Sequence, residues 1–171
     1  AEYFIGNTIS ETTGTFDAGL RFYGNPEKPN VVGNVDMGAG GLNVNFLKTR
    51  YSWRGADVSV NNYLFDLTGT VLYDKYGHDG TISGGIRHNQ LKDFGFNARL
   101  TTDRFLAIDT KKGDNDLFYG RALGEGEVLF TGTFKQPDVY VEATVSDSTN
   151  IVIPVSQERE ASELSFLRFV D

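Results

Sequence analysis

Apolar and polar residues alternate along most of the chain with a period of two residues. Between Phe16 and Phe22 every even position is apolar, whereas the odd positions include Asp17 and Arg21. This alternation predicts a β-strand with one apolar face. It recurs at regular intervals, so the sequence predicts an all-β chain with about a dozen strands. Further strands are predicted at 31–37, 42–46, 51–53, 58–60, 63–73, 82–88, 94–100, 105–110, 128–130, 139–145 and 151–155.

Breaks in the alternation separate strands but do not separate domains. Asn25–Asn30 contains two prolines, which cannot donate a hydrogen bond to a β-ladder. This segment therefore predicts an interruption between two strands. The glycines at 33, 69, 84 and 132 are suited to bends or bulges within strands. Gln157–Glu163, behind Ser156 as an N-cap, is compatible with one short helix near the C-terminus. We expect residues 1–171 to be a single segment excised from a longer chain, because the last residues are apolar.

Composition narrows the class of protein further. The chain has 36 β-branched and 22 aromatic residues but only 9 alanines, which excludes a helical bundle. Its net charge of -7 disfavours nucleic acid and anionic membrane surfaces as partners. The absence of cysteine excludes thiol nucleophiles, Cys-ligated zinc and disulfides. Its apolar stretches are far shorter than the roughly 18 residues of a membrane-spanning helix.

The sequence offers few groups for catalysis or metal binding. The only two histidines are His78 and His88. Their positions, in a glycine-rich turn and at the end of an alternating strand, favour a surface or structural role over a catalytic one. Asp74, His78 and Asp79 form the nearest metal-like constellation, but this segment is first of all typical of a hairpin turn. Asp114–Asp116 resembles part of a calcium loop without its bidentate glutamate, and favours a polar turn. A catalytic pair of carboxylates contributed by distant strands stays an open alternative, but the sequence indicates no particular pair. We therefore expect no enzymatic activity, cofactor or metal.

The apolar strand faces are the informative feature of the chain. They carry most of the 13 phenylalanines at positions of a single parity. Two arrangements satisfy this pattern. In the first, two sheets pack face to face about 10 Å apart and enclose the phenylalanines. In the second, one curved sheet leaves an open apolar trough. Periodicity alone favours the closed sandwich, because large exposed apolar patches are uncommon in soluble domains.

Several segments of the chain carry short motifs in a specific order. Asp-Asn is followed by Phe-Tyr-Gly-x-Ala, Gly-x-Val and a further glycine, and a glycine-rich strand-turn-strand lies upstream. In order and spacing these motifs resemble the C-terminal region of TamB-like proteins, in particular the versions found in Bacteroidota. The segments are Asp74–His88, Asp114–Ala122, Gly126–Gly132, Thr144–Pro154 and Leu164–Val170.

The resemblance implies a fold and a function. TamB-like proteins are large periplasmic chains, anchored in the inner membrane by an N-terminal helix and reaching the outer membrane. Their C-terminal part implies a long, curved, mostly antiparallel sheet with a hydrophobic groove, called a β-taco. The implied partners are phospholipid and a TamA-like outer-membrane barrel of the BamA superfamily. The implied role is the movement of phospholipid between the two membranes, with assembly of outer-membrane proteins as the older proposal.

On this basis we expect a non-enzymatic periplasmic segment whose apolar strand faces contact lipid tails. The parity that faces the groove is assumed from the alternation. Two alternatives stay open: a chaperone whose sheet edges template incoming outer-membrane strands, and a closed sandwich that binds carbohydrate or serves as a surface module. The predicted groove residues are Phe16, Leu20, Phe22, Leu42, Val44, Phe46, Phe65, Leu67, Ile82, Ile86, Phe94, Phe96, Leu100, Val128, Phe130, Val139 and Val141.

Overall fold

All strands within the described part of the chain belong to one antiparallel sheet. The computed structural model describes residues 9–45, 47–114, 118–134, 136–145 and 149–154, and within them it contains no helix. In particular, none of these residues forms a helix able to cross a membrane. The strands are β1 (Ile9–Thr13), β2 (Phe16–Asn25), β3 (Lys28–Met37), β4 (Gly40–Val44), β5 (Thr49–Trp53), β6 (Ala56–Val60), β7 (Leu64–Asp66), β8 (Val71–Tyr73), β9 (Asp79–Asn89), β10 (Lys92–Thr110), β11 (Tyr119–Gly132), β12 (Pro137–Val145) and β13 (Asn150–Val152).

Strand β9 is the branch point of the sheet. One edge of β9 pairs with β10, which pairs with β11, and the far edge of β11 pairs with β12 and β13. The other edge of β9 pairs with two short strands placed end to end, β7 and β8. The sheet continues from β7 through β6 and β3 to β2, which we call the β2 arm, and from β8 through β5 and β4 to β1, which we call the β1 arm. The sheet is therefore forked and is not closed into a barrel.

Contacts between distant strands show that the sheet is curved. In a flat sheet β5 and β10 would lie three strand spacings apart, about 14 Å. Instead the rings of Tyr51 and Phe105 stack with their centroids 5.3 Å apart, and the Tyr51 hydroxyl donates to the carbonyl oxygen of Ala107 at 3.1 Å. The N–H of Asp109 also donates to the carbonyl oxygen of Leu47 at 3.0 Å. The β1 arm therefore folds over the second half of β10.

The core lies in two places along this curve. The larger part lies in the second half of β10 and the portion of β11 paired with it, and includes Phe105, Leu106 and Leu123. A smaller part lies in the β2 arm, where Val31 and Val58 are buried. Because all strands join a single sheet, the closed sandwich that periodicity alone favours is wrong, and the curved antiparallel sheet implied by the family resemblance is confirmed.

Three local predictions are also corrected. The predicted break at Asn25–Asn30 is a two-residue turn, with Asn25 directly opposite Lys28 and Gly24 opposite Pro29. Pro29 is tolerated because Gly24–Pro29 is a non-hydrogen-bonded pair, so the missing N–H is not needed between these strands. The strand predicted at 63–73 is split into β7 and β8. The segments predicted at 94–100 and 105–110 are one continuous strand, β10, with a register shift between Thr102 and Phe105. The short helix predicted at 157–163 lies outside the described residues.

Candidate functional site

The cross-strand register gathers the predicted apolar residues on one face of the sheet. Residues directly opposite each other on neighbouring antiparallel strands project from the same face. One such row crosses the β2 arm and continues through β9 into β10. Its members, in order across the sheet, are Leu20, Gly33, Val60, Phe65, Ile86 and Phe96. A parallel row joins Phe130 of β11 to Val139 of β12.

This face is the concave one. On the β1 arm, Leu42 lies opposite Tyr51, and the pairing of β5, β8 and β9 puts Tyr51 on the same face as Ile82. The ring of Tyr51 meets Phe105 of β10 on that same side. Because contact across three strand spacings requires the sheet to bend toward the contacting side chains, the apolar face is the inner surface of the curve.

The structure places the predicted groove residues as follows. Leu42 and Val44 lie on the β1 arm, and Leu67 directly follows β7, with its N–H donating to the carbonyl oxygen of Gly84 at 2.8 Å. Phe46 lies outside the described residues. The remaining residues share the concave face of the β2 arm and of β9 to β12: Phe16, Leu20, Phe22, Phe65, Ile82, Ile86, Phe94, Phe96, Leu100, Val128, Phe130, Val139 and Val141.

An aromatic cluster forms the middle of this surface. The ring centroid of Phe96 lies 4.7 Å from that of Phe134 and 6.5 Å from that of Phe130. Phe94 lies 5.9 Å from Phe134 and 6.4 Å from Phe65. Phe134 lies just beyond the end of β11 and is absent from the predicted groove residues. The available signal was its parity, which continues that of Phe130 across Gly132. Val58 and Val60, also omitted, carried the same alternation signal.

Exposure varies along the concave face. Leu100 is only 8% exposed, and the aromatic cluster is half-buried, so the chain's own side chains partly fill the face near β10. At the β2 edge the face is open, where Phe16 is 73% and Phe22 57% exposed. The concave surface is therefore a trough that opens toward β2.

His88 has a structural role within this surface. Its ring is buried and lies 5.0 Å from Phe65 and 6.0 Å from Phe94. The N–H of Leu91 donates to Nδ1 at 3.1 Å, so Nδ1 is an acceptor and Nε2 carries the proton that is donated to the carbonyl oxygen of Asn61 at 3.0 Å. Both ring nitrogens are occupied, which leaves neither to bind a metal or to transfer a proton.

Asp74 anchors the turn that the sequence analysis compared with a metal site. Its Oδ1 accepts the N–H groups of Tyr76 and His78, and its Oδ2 accepts the Leu106 N–H at 2.8 Å and contacts His78 Nδ1 at 2.8 Å. Burial opposes ionisation of Asp74, but these hydrogen bonds outweigh it and hold the pKa of the carboxyl below its ordinary value. The carboxylate therefore joins the turn to β10, a structural task.

Metal binding finds no support within the described ranges. No group of three or more His, Cys, Asp or Glu residues in them could hold a metal ion. Asp114 accepts the N–H of Lys111 at 2.7 Å, as in an ordinary polar turn. Asn115 and Asp116, the rest of the calcium-loop fragment, lie outside the described residues.

Comparison with known proteins adds one finding. The family model of the TamB C-terminal domain matches residues 69–171, a span that begins between β7 and β8 and includes Phe94, Phe96, Phe130 and Phe134 of the aromatic cluster. No curated protein and no solved structure matches the chain.

Proposed function

Because the chain belongs to the TamB family, we propose that its concave apolar face carries the acyl chains of phospholipid between the inner and outer membranes. Membership supports a general role in the translocation and assembly system and in lipid transport, and a location in the cell envelope. The family is a non-enzymatic transport and assembly component. The Bacteroidota type stays a prediction.

The observation that carries this proposal is the continuity of the apolar face. It crosses eight strands from β2 to β12, which at about 4.8 Å per strand spacing is about 34 Å. An acyl chain occupies half of the hydrocarbon core of a bilayer, about 15 Å. The face is thus about twice as long as a lipid tail.

The physical gain from such a surface is large. An acyl chain exposed to water costs about 0.8 kcal/mol for each CH₂ group. A continuous apolar face lowers that barrier along the whole path. The opposite face carries charged residues such as Asp17, Arg21 and Asp57, which keep the outer surface hydrated. Transport of this kind breaks no bond and needs no catalytic residue.

The proposal extends to partners and position. Members of the family work with TamA-like partners, and we propose an outer-membrane barrel of the BamA superfamily as the partner of this chain. We further propose that the parent chain is anchored in the inner membrane and crosses the periplasm. The groove would then form part of a path between the two membranes.

Photo-crosslinking at neighbouring positions tests the proposal. Phe22 lies on the concave face and Tyr23 on the opposite face, and both are well exposed, at 57% and 45%. With a photoreactive phenylalanine analogue at position 22, we expect phospholipid adducts in mass spectra of the chain irradiated with phospholipid vesicles. The same analogue at position 23 is the matched control and should give only background.

Equal labelling at the two positions would refute a concave lipid path, as would absence of adducts at position 22. Phe96→Asp provides an independent measurement, because a carboxylate within the aromatic cluster should abolish lipid co-purification. Circular dichroism of this variant establishes whether it is folded, and a folded Phe96→Asp chain that retains lipid would contradict the proposal.

The templating of outer-membrane strands is a second candidate function, favoured by the free edge of β2. Among the described residues, β2 pairs only with β3. Ala18→Pro removes an N–H that points away from β3, so it should block strand addition and leave lipid uptake intact. Loss of lipid uptake in a folded Ala18→Pro chain would contradict this separation.

A further inference from the structure

The edge of β2 that has no partner strand among the described residues presents a regular set of hydrogen-bonding groups. The Val31 N–H points away from β2, since it donates to Asn62 Oδ1 at 2.9 Å on the β6 side. Its partner Phe22 therefore forms a non-hydrogen-bonded pair with it, and the N–H and C=O of Phe22 point outward. The alternation of the ladder gives the same orientation to the other even residues of β2. The outward groups thus belong to Phe16, Ala18, Leu20, Phe22 and Gly24.

The sequence of β2 is self-complementary about Gly19. When two copies of β2 pair antiparallel with Gly19 opposite Gly19, Asp17 faces Arg21 of the second copy, and Phe16 faces Phe22. Every outward-pointing even residue then meets another even residue, as a hydrogen-bonded pair requires. A shift of the centre by one residue to Ala18 or to Leu20 separates Asp17 from Arg21.

The charges of the outer face favour the same partner. Asp17 lies directly opposite Asp36 of β3, and Asp36 lies directly opposite Asp57 of β6. All three are exposed, and within the described part of the chain none of them has a salt bridge. Like charges directly opposite on neighbouring strands are destabilising. Arg21 of a second copy, placed opposite Asp17, would add a positive charge to this row of three aspartates.

We propose that β2 is an interface between two copies of this chain, paired antiparallel about Gly19. The pairing adds two Asp17–Arg21 ion pairs and brings the exposed rings of Phe16 and Phe22 together across the junction. Its two-fold axis is perpendicular to the sheet, so both concave faces lie on the same side and form one longer apolar surface. This interface goes beyond the proposed lipid path, which does not depend on it.

Charge reversal tests the interface in the complete 171-residue chain. Sedimentation equilibrium over a micromolar concentration range should show a monomer–dimer equilibrium. Asp17→Arg and Arg21→Asp should each weaken dimerisation by about tenfold or more, because each places two like-charge pairs at the interface. The double variant Asp17→Arg with Arg21→Asp should restore it. Asp57→Arg is the matched control. Asp57 lies two strands from the β2 edge, so this variant should leave the dimerisation equilibrium unchanged.

Engineered cysteines test the register, since the chain contains no cysteine of its own. Gly19→Cys should form an intermolecular disulfide, because the Cα atoms of a central non-hydrogen-bonded pair are about 4.5 Å apart. Asp17→Cys is the control and should not crosslink to itself, because the two copies of residue 17 are then offset by four residues, about 13 Å. Mixing Asp17→Cys with Arg21→Cys chains should give a heterodimer.

Three results would overturn the interface. The first is a chain that stays monomeric over the concentration range and gives no Gly19→Cys disulfide. The second is a dimer that neither charge reversal affects. The third is self-crosslinking of Asp17→Cys but not of Gly19→Cys. A monomeric chain that binds a peptide from an outer-membrane strand would assign the β2 edge to strand templating instead. None of these results bears on lipid labelling at position 22.

Discussion

Gly84→Ala is expected to lower the free energy of unfolding by about 4 kcal/mol. Gly84 lies in β9 with φ of +78°, and a Cβ atom added there would lie 2.2 Å from the carbonyl oxygen of Asn97. Because that oxygen belongs to the backbone of β10, no side-chain movement can relieve the contact. Urea unfolding followed by the fluorescence of Trp53, the single tryptophan, measures the loss.

Gly69→Ala is the matched control. Gly69 also has a positive φ, +90°, but a Cβ atom added there meets no atom within 4 Å. Only the backbone preference is then lost, at a cost of about 1 kcal/mol. Equal losses in the two variants would contradict this prediction, because they would show that the close approach of the β10 backbone to Gly84 adds nothing to the cost of the backbone preference.

Local pattern predicted most of the strands and four of the glycines with positive φ, but not β1 or the part of β11 before Val128. The alternation in β2 and β10 predicted their apolar faces, and Gly84 was among the glycines predicted to permit a bend. The fork of the sheet could not be predicted in this way. The apolar residues from Tyr63 to Tyr73 keep one parity across Gly69, which predicts a single strand. In the structure this segment is divided into β7 and β8, because its backbone follows hydrogen bonds to the distant strand β9, such as that from the Gly69 N–H to the carbonyl oxygen of Ile82.

The candidate site shows the same limit. Parity alone identified many of the residues that line one face, but it gave no information on which strands are neighbours. The row from Leu20 to Phe96 depends on pairings such as Phe65 with Ile86, whose partners are far apart in sequence. The direction of curvature is set by long-range contacts between the β1 arm and β10, such as Tyr51 with Phe105 and Leu47 with Asp109. Alternation specifies a face, and only strand order turns that face into a trough.

Asp74→Asn is expected to lower the free energy of unfolding by about 3 kcal/mol at neutral pH. The buried carboxylate accepts N–H groups on both oxygens, from Tyr76 and His78 in its own turn and from Leu106 in β10. An amide has one NH₂ group, so in either orientation at least one of these donors faces another donor. Asp79→Asn, an exposed neighbour, is the control and should change stability by less than about 0.5 kcal/mol.

The effect of Asp74→Asn should depend on pH in a defined direction. The pKa of Asp74 in the folded chain lies below its ordinary value of 3.8, because its hydrogen bonds outweigh the effect of burial. The carboxylate therefore contributes its full stability above that ordinary value, and the contribution falls as acid protonates the folded state. Urea unfolding of both chains should show a constant difference above about pH 5 that shrinks steadily toward pH 2. A difference that stays constant down to pH 2 would mean that the ionised carboxylate does not hold the turn to β10. The curve of the sheet would then be held by contacts such as Tyr51 with Phe105, without a contribution from the Asp74 carboxylate.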